Sequence, residues 1–231
     1  MSIRAVGFDI DGTLYPAFSL YRRLFFRSLK HLPLLLAFNE VRHELRALLA
    51  SPEFRARNIQ GVEALHRFQA ELTAKHLKTD PDKAYADIEA FFYTASVDPF
   101  SSITMYPGVV DTLNKLKSKG LPLGALSDFP CDRKLELLGL SSTFDVIMTS
   151  EETGLVKPDR RSFDLLAERL GVDNGDVLFV GNSEPYDVKG ALGAGMRAAL
   201  ISKKAGIKTK AEFTFYSFDN LYQFILDNMA S

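Results

Sequence analysis

Apolar and polar positions follow two different rhythms along this chain. A short apolar run, Ala5 to Phe8, has the length of a buried strand and stops abruptly at Asp9, Asp11 and Gly12. From Phe18 to about Val97 the apolar residues recur at spacings of one, three and four. Tyr21, Leu24, Phe25, Phe26 and Leu29 form one such set, Val41, Leu45, Leu48 and Leu49 a second, and Val62, Leu65, Phe68 and Leu72 a third. That is helical spacing, punctuated at Pro33, Ser51-Pro52 and Asp80-Pro81 by breaks or helix starts. From Pro107 the rhythm changes again. Short apolar runs (121–126, 146–148, 177–180, 198–201 and 213–216) alternate with amphipathic stretches (108–119, 133–138, 160–170, 187–194 and 221–228).

Strands alternating with helices predict an α/β fold, a doubly wound parallel sheet with helices on both faces. Residues 16–105 contain no strand-like alternation, so they read as an all-helical insert. The expected division is 1–15 and 106–231 as the α/β core, with 16–105 inserted. Small residues at Gly190, Ala191, Gly193 and Ala194 predict close packing of that helix on the sheet.

Composition narrows the partners rather than the chemistry. The 231 residues are 46% apolar and 25% charged with a formal net charge of −1, an ordinary soluble profile. Such a balance gives no electrostatic case for nucleic acid or an anionic membrane. The most membrane-like run, Leu32 to Phe38, falls far short of the roughly 20 apolar residues of a span. The first residues enter a strand without the apolar core or cleavage site of a secretory signal. Cys131 is the only cysteine, so an intramolecular disulfide is impossible. Together these lead us to expect a cytoplasmic protein.

Four predicted strands end in polar groups: Asp9 and Asp11, Ser127 and Asp128, Thr149 to Glu151, and Gly181 to Ser183. In a parallel sheet these ends share one edge, where open α/β sheets bind ligands. Lys157, in the loop after the third, and Asp187, after the fourth, are within reach of the same edge. Two neighbouring carboxylates can divide nucleophilic attack from proton transfer. A third acid elsewhere would complete an oxygen-rich Mg²⁺ site, and a hydroxyl and a lysine can hold phosphoryl oxygens. The inventory suits phosphoryl transfer.

Asp9-Ile10-Asp11-Gly12-Thr13-Leu14-Tyr15, Leu126-Ser127-Asp128, Val156-Lys157-Pro158 and Val180-Gly181-Asn182-Ser183 with Asp187 resemble the four ordered motifs of the haloacid dehalogenase-like hydrolase superfamily. The resemblance spans residues 4 to about 202, with the helical insert where a cap of the first type sits. It implies a Rossmann-like core and residue roles. Asp9 would be the nucleophile that becomes an aspartyl-phosphate, and Asp11 the general acid and then base. Ser127, the backbone N–H of Asp128 and Lys157 would bind the phosphoryl group. Mg²⁺ would be held by the Asp9 carboxylate, the Asp11 main-chain carbonyl, Asn182 and Asp187. Many relatives carry Asp where Asn182 stands; the amide oxygen can still ligate Mg²⁺ but brings one negative charge fewer. Asp128 stands where Asn is common.

The expectation is a Mg²⁺-dependent phosphatase for a small phosphorylated metabolite, monomeric or homodimeric. A haloacid-type dehalogenase is the enzymatic alternative. It ranks lower because a halide leaves without a proton, which idles Asp11. A non-catalytic binding module is the alternative from another class, with Asn182 as its sequence support. Other residues have plainer readings. His31, His43, His66 and His76 lie in the insert at no ligand spacing and read as surface or structural. Cys131 reads as structural. The basic stretch Arg22, Arg23, Arg27 and Lys30 reads as a solvated face, and Leu32 to Phe38 as core of the insert.

Overall fold

The computed structural model describes residues 2–18, 31–48, 51, 54, 59, 61–94, 103–204 and 206–229. The expected helix through Tyr21 to Leu29 and the basic stretch Arg22 to Lys30 lie outside these residues. Strands β1 (Ala5–Phe8), β2 (Leu123–Ser127), β3 (Val146–Thr149), β4 (Val177–Gly181), β5 (Arg197–Ile201) and β6 (Phe213–Phe215) form one parallel sheet. Their order is β3-β2-β1-β4-β5-β6. Between β1 and β2 lie helices α1 (Leu32–Leu48), α2 (Gly61–Leu77) and α3 (Pro81–Ile88), the last continuing into a π-helical turn, Glu89–Thr94. The remaining helices are α4 (Val109–Ser118), α5 (Asp132–Leu137), α6 (Arg160–Leu170), α7 (Lys189–Gly193) and α8 (Phe218–Asn228).

Successive strand residues point to opposite faces, and both faces are apolar. Val6, Phe8, Ala125 and Val180 meet Leu113 and Leu116 of α4 and Leu221 and Ile225 of α8. Ala5, Leu126, Val177 and Phe179 meet Phe163, Leu166 and Leu170 of α6 and Ala191 of α7. A fully buried Phe such as Phe8 contributes roughly 1.5–3 kcal/mol. Helix α6 sits unusually close to the sheet, because a Cβ on Gly7 or Gly124 would lie 2.8 or 2.6 Å from a Leu166 methyl. At Gly190 the close neighbour is Phe163 of α6 rather than the sheet, 2.3 Å from where its Cβ would be, and a Cβ on Gly193 would meet nothing within 4 Å.

Local chemistry sets several element ends. The Asp80 side chain accepts from the backbone N–H groups of Asp82 and Lys83, and Pro81 opens α3. Asp159 caps α6 in the same way through Arg161 N, and Gly171 ends it with φ +71°. Helix α8 begins three residues before the expected start because Ser217 caps it. The stretch expected as one helix from Asp187 is instead a π-helical turn, Glu184–Val188, followed by the short α7. Val62, counted with the apolar face of α2, is exposed.

Between residues 31 and 94 every regular element among the described residues is helical. The segment has its own apolar contacts, with Leu34, Phe38, Ala70, Ala74 and Ile88 in one cluster. A second cluster joins Leu45, Leu65 and Phe68 to Leu155 and Val156 of the loop after β3. No helix among the described residues is long and apolar enough to cross a membrane.

Candidate active site

The sheet order reverses at β1, which lies between β2 and β4. Ligands of open α/β sheets bind outside the carboxyl ends of strands at such a point. Asp9 is the first residue past β1, its backbone N–H still bonded to Val180 O at 2.9 Å, and its side chain is buried. Ser127 ends β2, and Asn182 follows β4.

Lys157 joins these groups. Its buried ammonium donates to Asp9 Oδ1 at 2.6 Å and to Asp187 Oδ1 at 2.7 Å. Thr13 Oγ1 donates to the other Asp9 oxygen at 2.7 Å. Asp187 Oδ2 accepts from the backbone N–H groups of Asn182 and Ser183, at 3.1 and 2.9 Å. The motif around Gly12 approaches this turn so closely that a Cβ there would lie 2.2 Å from the Asn182 amide nitrogen, and its φ is +96°.

Two buried acids share one buried ammonium, so the cluster carries an uncompensated negative charge. Burial pushes Asp9 up to about 7 against the pull of Lys157, and the Asp187 charge adds to the rise. One terminal atom of the Asn182 amide lies 3.3 Å from both Asp9 Oδ2 and Asp187 Oδ2. Turned with nitrogen there, the amide donates to both carboxylates. Turned with oxygen there, it completes a set of hard oxygen donors. Excess negative charge and oxygen-only ligands fit Mg²⁺. Among the described residues no cluster of three His, Cys, Asp or Glu side chains has metal-holding geometry, so an ion here would need the Asn182 amide oxygen or main-chain oxygens as well.

Asp11 lies apart from this cluster. Lys134 Nζ donates to its Oδ2 at 2.7 Å, Ser127 Oγ lies 3.5 Å from the same oxygen, and the Tyr15 hydroxyl donates to Oδ1. Burial would raise the Asp11 carboxyl, but the charge and hydrogen bond of Lys134 and the Tyr15 hydroxyl outweigh it and hold the group below its usual range. The two acids of the motif therefore occupy opposite electrostatic settings.

The Asp128 side chain ties loops and helix together. It accepts from Ser150 Oγ at 2.6 Å, Lys157 N at 3.0 Å and Arg46 Nη2 at 2.8 Å. Arg46 Nε also donates to Lys157 O at 3.1 Å, and Arg42 Nη2 to Asp128 O at 3.1 Å. Arg42 and Arg46 stand one turn apart on α1, so the helical segment grips the two loops that carry Ser127 and Lys157. The third polar strand end contributes only through this junction. Glu151 is fully buried, pairs with Arg42, and accepts from Tyr93 at 3.0 Å. His66 bridges Glu151 and Glu89, at 3.1 and 2.6 Å.

The sequence reading placed Asp9, Lys157, Asn182 and Asp187 at one edge, and the structure brings them together. It missed Lys134, Tyr15, Arg42, Arg46 and the Glu151 pairing. Only the i, i+4 spacing of Arg42 and Arg46 was open to a sequence reader. His66 is structural as expected, but buried at the junction rather than on the surface. Cys131 is buried, which pushes its thiol up to about 12 and leaves it unreactive.

A family model described as haloacid dehalogenase-like hydrolase matches residues 3–195. The chain is 30% identical over 215 residues to a glyceraldehyde 3-phosphate phosphatase of Methanopyrus kandleri, covering 87% of this chain and 84% of that one. Among solved structures, a HAD phosphatase from Thermococcus onnurineus is 25% identical over 99% of this chain and 100% of that one, with a TM-score of 0.60. A 2-haloacid dehalogenase from Pseudomonas syringae pv. Tomato DC3000 is 26% identical over 97% and 98%, with a TM-score of 0.63. With the ordered motifs at the switch point of its sheet, the chain belongs to the haloacid dehalogenase-like hydrolase family.

Proposed function

We propose that the protein is a Mg²⁺-dependent phosphatase that hydrolyses a small phosphorylated metabolite through an aspartyl-phosphate on Asp9. The observation that carries this reading is the placement of two acids at the switch point of the sheet. Asp9 is buried against Lys157, whereas Asp11 stands beside Ser127 in a separate hydrogen-bonded setting. A halide leaves without a proton and has no use for the second acid. An alkoxide leaving a phosphate monoester needs one.

Asp9 attacks phosphorus while Lys157 and the Ser127 hydroxyl balance charge on the phosphoryl oxygens, helped by the Asp128 backbone N–H. Asp11 gives a proton to the leaving oxygen and later takes one from the water that cleaves the acyl phosphate. Mg²⁺ would be held by the Asp9 carboxylate, the Asp11 carbonyl and the Asn182 amide oxygen, with Asp187 orienting the turn behind it. It would supply positive charge to the phosphoryl oxygens. The helical segment, residues 16–105, serves as a cap whose Arg42 and Arg46 meet the loops of the site. The curated relative acts on a three-carbon phosphate by its name, which supports a small substrate.

Hydrolysis of p-nitrophenyl phosphate with and without Mg²⁺, followed by a screen of phosphorylated metabolites with Asp9→Asn as the blank, tests the proposal. We expect turnover only with the metal. Metal-independent halide release from a 2-haloacid would assign the dehalogenase instead. Inactivity at every divalent metal concentration would favour a binding module.

A further inference from the structure

Helix α5 carries two adjacent cations with opposite fates. Arg133 is 58% exposed and pairs with Glu136 on its own helix. Lys134 keeps only 9% of its side-chain surface, and its ammonium is directed to Asp11 Oδ2 at 2.7 Å. Burying an ammonium carries a large desolvation cost unless a partner offsets it. The chosen partner is an acid of the site that is itself 26% exposed and already accepts the Tyr15 hydroxyl. Leu135, the next residue, anchors α5 in the core, so the ammonium is held on a fixed element.

We propose that Lys134 is a further catalytic residue, one whose ammonium hydrogen-bonds the leaving oxygen as the phosphate ester breaks. This rests on the phosphatase reading. For Asp11 to give its proton, the bridging oxygen must come within about 2.6–3.2 Å of an Asp11 oxygen. Lys134 Nζ and Ser127 Oγ already converge on Oδ2 of that carboxyl group. A leaving oxygen that close to Oδ2 lies within reach of Lys134 Nζ as well, and the negative charge growing on it as the ester bond breaks attracts the ammonium.

The electrons and protons balance without any added reactant. An Asp9 oxygen forms a bond to phosphorus, and the pair of the P–O ester bond passes to the leaving oxygen, which takes the Asp11 proton. Lys134 keeps its protons throughout. Water then attacks phosphorus and gives a proton to Asp11 as the Asp9–phosphorus bond breaks.

The contribution should grow with the basicity of the leaving oxygen. The test compares kcat/KM, which reports the phosphorylation step, for p-nitrophenyl phosphate and for an alkyl monophosphate that the intact enzyme turns over, both with Mg²⁺. Lys134→Met should lose about 10²–10³-fold on the alkyl ester and less than about tenfold on the nitrophenyl ester. Lys134→Arg should recover a large part of the alkyl activity, and Asp11→Asn should show the same dependence on leaving group. Equal losses on both esters, or no loss on either, would overturn the proposal while leaving the phosphatase reading intact. An intact enzyme inactive on every ester would overturn both. If Lys134→Met is isolated unfolded, the same comparison on Lys134→Arg and Lys134→Gln decides.

Discussion

Arg42 and Glu151 form a direct ion pair across the junction between α1 and the loop after β3, with only 4% and 1% of their side-chain surfaces exposed. The pair belongs to a larger ring. Arg42 also donates to Gln69 Oε1 at 3.0 Å, and its guanidinium lies 4.7 Å from the centroid of the Phe129 ring.

Removing one member of this buried pair leaves the other with only its weaker charged partners, Asp128 at 3.7 Å for Arg42 or His66 at 3.1 Å for Glu151. Arg42→Met or Glu151→Leu alone should destabilise the protein by about 3–5 kcal/mol. The double variant should recover a substantial part of that, because neither charge is left alone. Urea unfolding of the four proteins gives the coupling energy. Purely additive losses would mean the two charges do not stabilise one another.

His66 gives this junction a pH dependence. Burial lowers its affinity for a proton, but the hydrogen bonds and charges of Glu151 and Glu89 outweigh burial and leave it raised. Its contribution is therefore full below the unfolded value of about 6.5 and is lost as pH rises through the higher folded value. The gap in Tm between the intact protein and His66→Gln should be widest below about pH 6.5 and narrow as pH rises above it. A gap that widened with pH would refute this account.

Asp9 has the opposite sign from an ordinary salt-bridged carboxylate. Its folded value near 7 exceeds the ordinary 3.8, so the folded state binds the proton more tightly. Stability falls as pH rises from about 4 to about 7 and then levels. In EDTA, Asp9→Asn should therefore melt a few degrees above the intact protein at about pH 8, with the difference shrinking toward about pH 5. A calorimetric scan series checks it, and a variant less stable at every pH would contradict it.

Asn182→Asp adds the missing negative charge 3.3 Å from two carboxylate oxygens. The concentration of Mg²⁺ giving half-maximal activity should fall about tenfold. The metal-free protein should lose stability, because a third acid joins two that already share one lysine. Titration of activity and of Tm with Mg²⁺ measures both effects.

Most of the core was legible because periodicity reports burial. Val6 and Phe8, or Phe163 and Leu166, state their faces in their spacing. The shared edge of Asp9, Ser127 and Asn182 followed from parallel topology alone. What stayed hidden was side-chain direction. Nothing in Asp132-Arg133-Lys134 says which of two neighbouring cations turns inward, since that depends on where Asp11 sits across the fold. Asp128 was read through its backbone, yet its carboxylate ties together Ser150, Arg46 and Lys157 N. That role needs α1, whose register against the sheet no local pattern encodes. The π-helical turn at Glu184–Val188 was missed for a related reason: Asp187 bends back to the backbone N–H groups of Asn182 and Ser183 and gives the turn its shape.

The central position of β1 also dictates an order of assembly. Val6 pairs with Leu123 on one side and Leu178 on the other, partners more than a hundred residues downstream. During synthesis the first strand emerges with no neighbour, and the helical segment follows before either flank exists. The helices can begin to pack on their own contacts, while Val6 and Phe8 wait exposed for β2 and β4. Asp9 in turn meets Lys157 only after 148 further residues have been made, so the surroundings of this carboxylate are completed long after the strand that carries it.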